Sequence, residues 1–260
     1  MLVYERRSAI VELLQHNGTV TVDALAKRFF VSPSTIRRDL ERIGSEGAVR
    51  RTYGGAVLLD TRTGDAPMLL REHEHIHAKQ CIASVAATYV RDGMTMMLDT
   101  SSTVLALVPL LAQFTGLTVI TNGLKTAYML NTIGHITTHC VGGRLREHNM
   151  AMVGAVTCRR IEELNVDMAF LSCRGLSVRG VTEASEEEAQ VKKAMLLSAD
   201  QSVLLCDATK VGYVLMNRVC DVEQLHALVT DAPLPENVKK ICEAAGVDVR
   251  WNNQTFGNTI

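Results

Sequence analysis

The sequence predicts an α/β protein: a small, mostly helical N-terminal unit, then a larger domain built on an open, mostly parallel sheet. Three observations carry this. Short segments of helical period crowd the first 58 residues. A polar, turn-rich stretch beginning Asp60-Thr-Arg-Thr-Gly-Asp-Ala-Pro follows. Beyond residue 75, helical and strand-like segments alternate to residue 251, the pattern of parallel strands joined by helices. A length of 260 residues suits one large domain or two smaller ones. The implied boundaries are a first domain at 1–58, a linker at 59–75, a second domain at 76–252 and a tail at 253–260.

The first helix is expected over 6–16, where Ile10, Leu13 and Leu14 share a face and Asn17-Gly18 stops the run. A second is expected over 22–29, with Val22, Leu25, Ala26 and Phe29 on one side. Ser32-Pro33 reads as an N-cap followed by proline at the first helical position. The helix it opens runs to about Ser45, with Gly47 just beyond. Residues 48–53 read as a strand, Gly54-Gly55 as a tight turn and 56–59 as the returning strand.

In the second domain, helices are expected at 76–91, 102–114, 123–131, 153–163, 185–199 and 236–245. Strands are expected at 94–99, 117–121, 136–141, 168–173, 202–207, 225–230 and 247–251.

The third helix of the N-terminal unit carries chemistry on one face. With Ile36 at zero and ~100° per residue, Leu40 and Ile43 fall within about 40° and form a buried stripe. Arg38 lies opposite, near about 200° on the same wheel, flanked by Ser34 and Arg42, with Thr35 and Arg37 at the shoulders. Guanidiniums beside a short hydroxyl suit a DNA major groove, where arginine forks onto guanine and any member can hold phosphate. A solvated surface would also carry such residues. The context decides: a helix, a short turn and an N-cap precede the stripe at helix-turn-helix spacing. A hairpin bearing Arg50, Arg51 and Tyr53 follows it as a wing. The residues expected to meet DNA are Ser32, Ser34, Thr35, Arg37, Arg38, Arg42, Arg50, Arg51 and Tyr53.

Charge agrees. Residues 1–58 hold nine Lys/Arg against six Asp/Glu, a net +3, which leaves −4 on the rest of a chain whose total is −1. A basic head suits an anionic partner. The seven cysteines include no CxxC pair and are an odd number, so scattered reduced thiols of a cytoplasmic protein are expected. The first seven residues contain no apolar core of a secretory signal, and the most apolar run, 104–112, is too short to span a bilayer. His73, His75 and His77 alternate at i,i+2, which on a helix turns the rings apart, so no metal site is expected there and no cofactor elsewhere.

The run Val31-Ser-Pro-Ser-Thr-Ile-Arg-Arg-Asp-Leu, continued by Gly47-Ala-Val-Arg-Arg-Thr-Tyr-Gly-Gly-Ala, resembles the signature of the DeoR family of bacterial sugar-operon repressors. The resemblance extends into the second domain. It implies a homo-oligomer, dimer or tetramer, on repeated half-sites of double-stranded operator DNA. It also implies a second domain similar to ribose-5-phosphate isomerase that senses a phosphorylated sugar.

The residues offer an anion site of their own. Asp99, Thr100, Ser101, Ser102 and Thr103 join a strand's C-terminus to a helix N-terminus, where ligands of open α/β sheets bind. Such residues also cap ordinary helices. The family pattern D-x-G-T-T has its glycine replaced by Ser101. Thr121 and Asn122 match the family's TN, and Gly142 with Gly143 its GG; turn and cap roles stand beside these. Asp207-Ala-Thr-Lys210 resembles a motif shared with the isomerases, in which Lys210 meets phosphate or a sugar oxygen. Glu183 and Lys192 are the best ligand candidates of the acidic helix start near Ser185, although helix-dipole chemistry explains such residues equally. Arg174 departs from the pattern and could clamp an anion or fill the pocket.

The expected function is a DNA-binding repressor of a carbohydrate-utilisation operon, controlled by a phosphorylated sugar, with no membrane partner. An isomerase-like enzyme with a DNA-binding head is the alternative, but Leu171-Ser-Cys-Arg-Gly lacks the acidic D-G-A-D-E loop that isomerisation uses. A transcriptional activator is a further alternative, because activation depends on where the site lies relative to a promoter.

Overall fold

A computed structural model describes residues 2–45, 49–58, 68–146 and 149–252. The chain divides into two compact units, Met1–Ile76 and His77–Ile260.

The first unit is a helical head with a small sheet. Helix α1 spans Val3–Asn17, β1 Thr19–Thr21, α2 Val22–Phe29 and α3 Pro33–Ser45. Strands β2 (Val49–Thr52) and β3 (Gly55–Leu58) form the wing, and β1 adds to it, giving the antiparallel order β1-β3-β2. The Thr21 hydroxyl caps α2 by accepting from Ala24 N at 3.3 Å. The Ser32 hydroxyl caps α3 by accepting from Thr35 N at 3.2 Å. Ile10, Leu14, Leu25, Ile36, Leu40 and Ile43 are fully buried together, so the apolar stripe read on α3 is its packing face.

The expected linker is not all linker. Helix α4 (Met68–His73) lies within it, and Leu70 is buried in the core of the head. Residues 59–67 fall outside the described residues, as do Gly47, Ala48 and the expected tail at 253–260. Strand β1 was not expected. Three residues are too few for an alternation to show.

The second unit opens with α5 (Ile76–Ala86), whose first residue closes the head. Then come β4 (Thr95–Leu98), α6 (Ser102–Leu105), β5 (Thr118–Thr121), α7 (Leu124–Ile133) and β6 (Thr137–Cys140). A hairpin, β7 (Arg144–Arg146) and β8 (Ala151–Val153), leads to α8 (Ala155–Glu162) and β9 (Val166–Ser172). A second hairpin, β10 (Gly175–Ser177) and β11 (Gly180–Glu183), leads to α9 (Glu186–Leu197) and β12 (Ala199–Leu205). Strands β13 (Asn217–Cys220) and β14 (Ala227–Thr230), α10 (Glu236–Ala244) and β15 (Asp248–Trp251) complete it.

The main sheet has seven strands in the order β15-β14-β12-β9-β4-β5-β6, every pair parallel. This bears out the expected open α/β sheet. Strands β10, β11 and β13 form a separate antiparallel sheet.

The order places the site. From β4 the chain builds outward through β5 and β6, then returns to add β9, β12, β14 and β15 on the other side. The direction of winding reverses between β4 and β9. In open α/β sheets, ligands bind at that switch point, beyond the carboxyl ends of the strands.

Two expectations are corrected. The helix predicted at 102–114 breaks into α6 and a 3₁₀ stretch, Val108–Gln113, because Pro109 lacks the N–H that a continuous helix needs. The helix predicted from 153 starts at Ala155; Val153 ends β8, and Gly154 turns the corner at φ 97°.

Candidate functional site

In the head, Ser34, Arg37, Arg38 and Arg42 are exposed along one side of α3, and Ile36, Leu40 and Ile43 are buried on the other. The hydroxyls of Ser32, Ser34 and Thr35 are linked, Ser32 Oγ lying 2.7 Å from Ser34 Oγ and 2.9 Å from Thr35 Oγ1. On the wing, Arg50 and Arg51 are exposed, and Tyr53 stands fully exposed at its tip. Arg51 lies 3.8 Å from Glu41 of α3, an exposed and weak pairing. The wing closes on a glycine: a Cβ at Gly55 would fall 1.9 Å from the Val20 carbonyl oxygen of β1.

One head residue escaped the sequence reading. Asp39 is buried and accepts from Arg6 Nε at 2.6 Å and from Arg7 Nε at 3.0 Å. Two guanidiniums of α1 thereby fix the angle of α3. The wheel held a signal: Asp39 sits about 60° from Ile36, on the buried side.

In the second unit, Asp99, Thr103, Glu183, Lys192 and Lys210 gather at the switch point. Asp99 follows β4, and its backbone N–H donates to Phe170 O of β9 at 3.2 Å. Its carboxylate accepts from Ser101 N at 2.8 Å, Ser172 N at 2.9 Å and Lys192 Nζ at 2.8 Å. Lys192 also meets Glu183 Oε1 at 2.8 Å and donates to Ser172 O at 2.5 Å. All three ammonium hydrogens of Lys192 thus have acceptors, and its side chain is only 7% exposed. Burial works against both charges, but Lys192 holds the Asp99 carboxyl below its ordinary value. Asp99, Glu183 and Glu188 in turn push the Lys192 ammonium upward against the same burial.

Lys210 is the second cation. It pairs with Asp207 at 2.8 Å and donates to Thr103 Oγ1 at 3.2 Å and Ser172 Oγ at 3.4 Å. Its side chain is 19% exposed, against 7% for Lys192. Burial opposes the Asp207 carboxylate, yet Lys210 brings its pKa below the ordinary value. Thr209 Oγ1 makes a short hydrogen bond to the same carboxylate.

The remaining predicted residues divide. Ser101 caps α6 by accepting from Val104 N at 3.1 Å. Thr100 and Ser102, on either side of Ser101, are buried, and Thr121 Oγ1 accepts from Gly123 N at 3.0 Å. Asn122 Nδ2 donates to Met152 O at 3.0 Å, and its Oδ1 is buried with no partner among the described residues. Glu183 Oε2 is the same. Gly142 and Gly143 have backbone reasons: φ is 74° and 120°, and a Cβ at Gly143 would meet Thr157 Oγ1 at 2.0 Å. Arg174 is half-buried on the turn between β9 and β10, its N–H donating to Thr182 O at 3.1 Å.

Two further residues belong to this cluster and were not predicted as site residues, Ser172 and Asp207. Ser172 ends β9 and touches Asp99, Lys192 and Lys210; nothing in its local sequence marks it. The carboxylate of Asp207 was quoted as part of a motif, three residues before its lysine.

Among the described residues no group of His, Cys, Asp and Glu could hold a metal ion. His73 Nδ1 instead lies 3.3 Å from Glu12 Oε1. No helix of the described residues is long and apolar enough to cross a membrane.

Two family models match. The DeoR-like helix-turn-helix domain covers residues 6–62 and the DeoR C terminal sensor domain covers residues 74–232. The chain belongs to the DeoR family. Relatives within this family share the whole layout. The uncharacterized HTH-type transcriptional regulator YulB of Bacillus subtilis is 34% identical, over 93% of this chain and 94% of its own. GolR of Listeria innocua, an HTH-type transcriptional regulator, is 33% identical over 96% and 99%. The glycerol-3-phosphate regulon repressor of Escherichia coli is 28% identical over 91% and 94%. These relatives are named as regulators, and neither matched domain is an enzyme's. A solved D-ribose-5-phosphate isomerase overlaps this chain at a TM-score of 0.39 and 13% identity, over 51% of this chain and 52% of that one. So slight a likeness carries no chemistry. In this DeoR-family chain the helix-turn-helix match covers the arginine face of α3, and the sensor match covers the cluster around Lys192 and Lys210.

Proposed function

We propose that this protein is a DNA-binding transcriptional repressor of a carbohydrate-utilisation operon, and that a phosphorylated sugar bound beyond β4, β9 and β12 controls it. The observation that carries the sensor half is Lys210. It is a partly exposed cation at the switch point, ringed by the hydroxyls of Thr103 and Ser172. A phosphate there gains a charge-assisted contact and hydroxyl donors. The buried acceptors Asn122 Oδ1 and Glu183 Oε2 suit the hydroxyls of a sugar. Lys192 supports from beneath, its hydrogens already engaged by Asp99, Glu183 and Ser172. The repressor reading draws on relatives named as repressors, of the glycerol-3-phosphate regulon among others.

In the head, Arg38 and Arg42 with Arg37 would read or hold the major groove. Arg50, Arg51 and Tyr53 would lie along the backbone, and the linked hydroxyls of Ser32, Ser34 and Thr35 would meet phosphate at the start of α3. Two or more copies would occupy repeated half-sites. Arg38→Ala should cost about 1–3 kcal/mol of operator affinity and relax base preference.

The test of the sensor half is thermal unfolding against a panel of sugar phosphates. A ligand that binds only the folded state raises the melting temperature by mass action. One sugar phosphate should raise it in the wild type and not in Lys210→Ala. A panel with no effect on the wild type would remove the phosphorylated sugar from the account.

A further inference from the structure

Seven cysteines are scattered along the chain, but four of them, Cys173, Cys206, Cys220 and Cys242, are buried in one hydrophobic core of the sensor unit. The sulfurs of Cys173 and Cys206 stand 3.6 Å apart. Register explains the contact. Ser172 of β9 pairs with Leu205 of β12 in parallel. The next residue of each strand is a cysteine, so the two lie side by side where both strands leave the sheet. Neighbouring strands run about 4.8 Å apart, within the ~4.4–6.8 Å between Cα atoms that a disulfide spans. Bringing the sulfurs to a bond of ~2.05 Å needs about 1.5 Å of closure.

The pair lies directly against the candidate effector site. Lys210 binds Ser172 and Asp207, the residues immediately before Cys173 and after Cys206. Contact with Cys173 and burial push the Cys206 thiol well up, while Lys210 pulls it partly back. Neither cysteine is in a disulfide in this structure.

We propose that Cys173 and Cys206 form a reversible disulfide when the protein meets a peroxide, which makes the floor of this site redox-sensitive. The chemistry balances. One sulfur, losing its proton, attacks a peroxide oxygen; the O–O bond breaks, water leaves and a sulfenic acid remains. The neighbouring sulfur, losing its proton, attacks the sulfenic sulfur and expels the hydroxyl as a second water. Two thiols give up two electrons, and one hydrogen peroxide becomes two waters. The pairing does not depend on which ligand the site takes.

The experiment uses the full reduced chain, treated with graded hydrogen peroxide, then denatured, alkylated and mapped by peptide mass spectrometry. Exposed Cys140 serves as the internal reference for oxidant dose. The expected result is one intramolecular Cys173–Cys206 cross-link in monomeric protein. Both thiols should be lost to alkylation and restored by dithiothreitol. The cross-link should persist in Cys140→Ser and vanish in Cys206→Ser. If the latter fails to fold, the wild-type map alone decides. Cys173 and Cys206 remaining fully alkylatable at doses that oxidise Cys140 would overturn the proposal. So would a cross-link joining Cys173 to Cys220.

Discussion

Lys192 shows what a single side chain carries. Its ammonium neutralises Asp99 and engages Glu183, two carboxylates almost fully buried. Removing one partner of a buried ion pair strands the rest in low dielectric, at a cost of about 3–5 kcal/mol. Lys192→Met should therefore destabilise the sensor unit by that amount in urea unfolding. Asp39 plays the matching part in the head, between Arg6 and Arg7. Asp39→Ala leaves the Arg6 guanidinium buried and unpaired by Asp39, so a loss of similar size is expected in the head's own transition. Both residues were in view in the sequence, but their roles were not. The Lys192–Asp99 contact joins residues 93 positions apart, and no local period reports such a meeting. The arginine face was legible because it needs only the turn of one helix.

Among elements, those that alternate with helices or flank a marked turn were legible, and the short strands outside that pattern were not. Helices α2 and α3 begin at capping hydroxyls, Thr21 and Ser32, that local chemistry announces. All seven strands of the main sheet were expected; β4, β5, β9, β12 and β14 are largely buried runs set off by turns, whereas β6 and β15 are mostly exposed. Strands β1, β7, β8, β10, β11 and β13 are three or four residues long, and each is held by a partner strand rather than by its own pattern. The wing makes this dependence testable. Gly55 pairs with both Thr21 and Thr52, and a Cβ there would collide with the Val20 carbonyl. Gly55→Ala should cost about 1–3 kcal/mol, the usual penalty of overpacking. It should weaken DNA binding through the displaced Arg50 and Arg51 while leaving the unfolding of the sensor unit unchanged. An equal alanine at exposed Gly54, where a Cβ meets nothing within 4 Å, should be nearly silent.

At the scale of the whole molecule, the buried ion pairs set a pH window. Asp99 and Asp207 are held below their ordinary values, so they contribute stability above the unfolded carboxylate pKa of about 3.9. That stability is lost as pH falls from there through their depressed values. Lys192 and Lys210 are raised, so their contribution is whole below about 10.4, the unfolded lysine value, and fades above it. The melting temperature of the sensor unit should be flat across the neutral range and drop at both ends. The division of labour, a basic head and an acidic sensor, was visible in the charge balance alone. The contacts of Asp99, Lys192 and Lys210 were not, because only the fold assembles them. The central claim, proposed above, is that a ligand bound at Lys210 governs DNA binding by α3. The direct measurement is the affinity for the operator at fixed salt, with and without each sugar phosphate, for wild type and Lys210→Ala. One sugar phosphate should change wild-type affinity by about 5–150-fold, the usual range of coupling between sites, and leave Lys210→Ala unmoved at similar basal affinity. Unchanged affinity in the wild type with every ligand, or an equal response in Lys210→Ala, would contradict it.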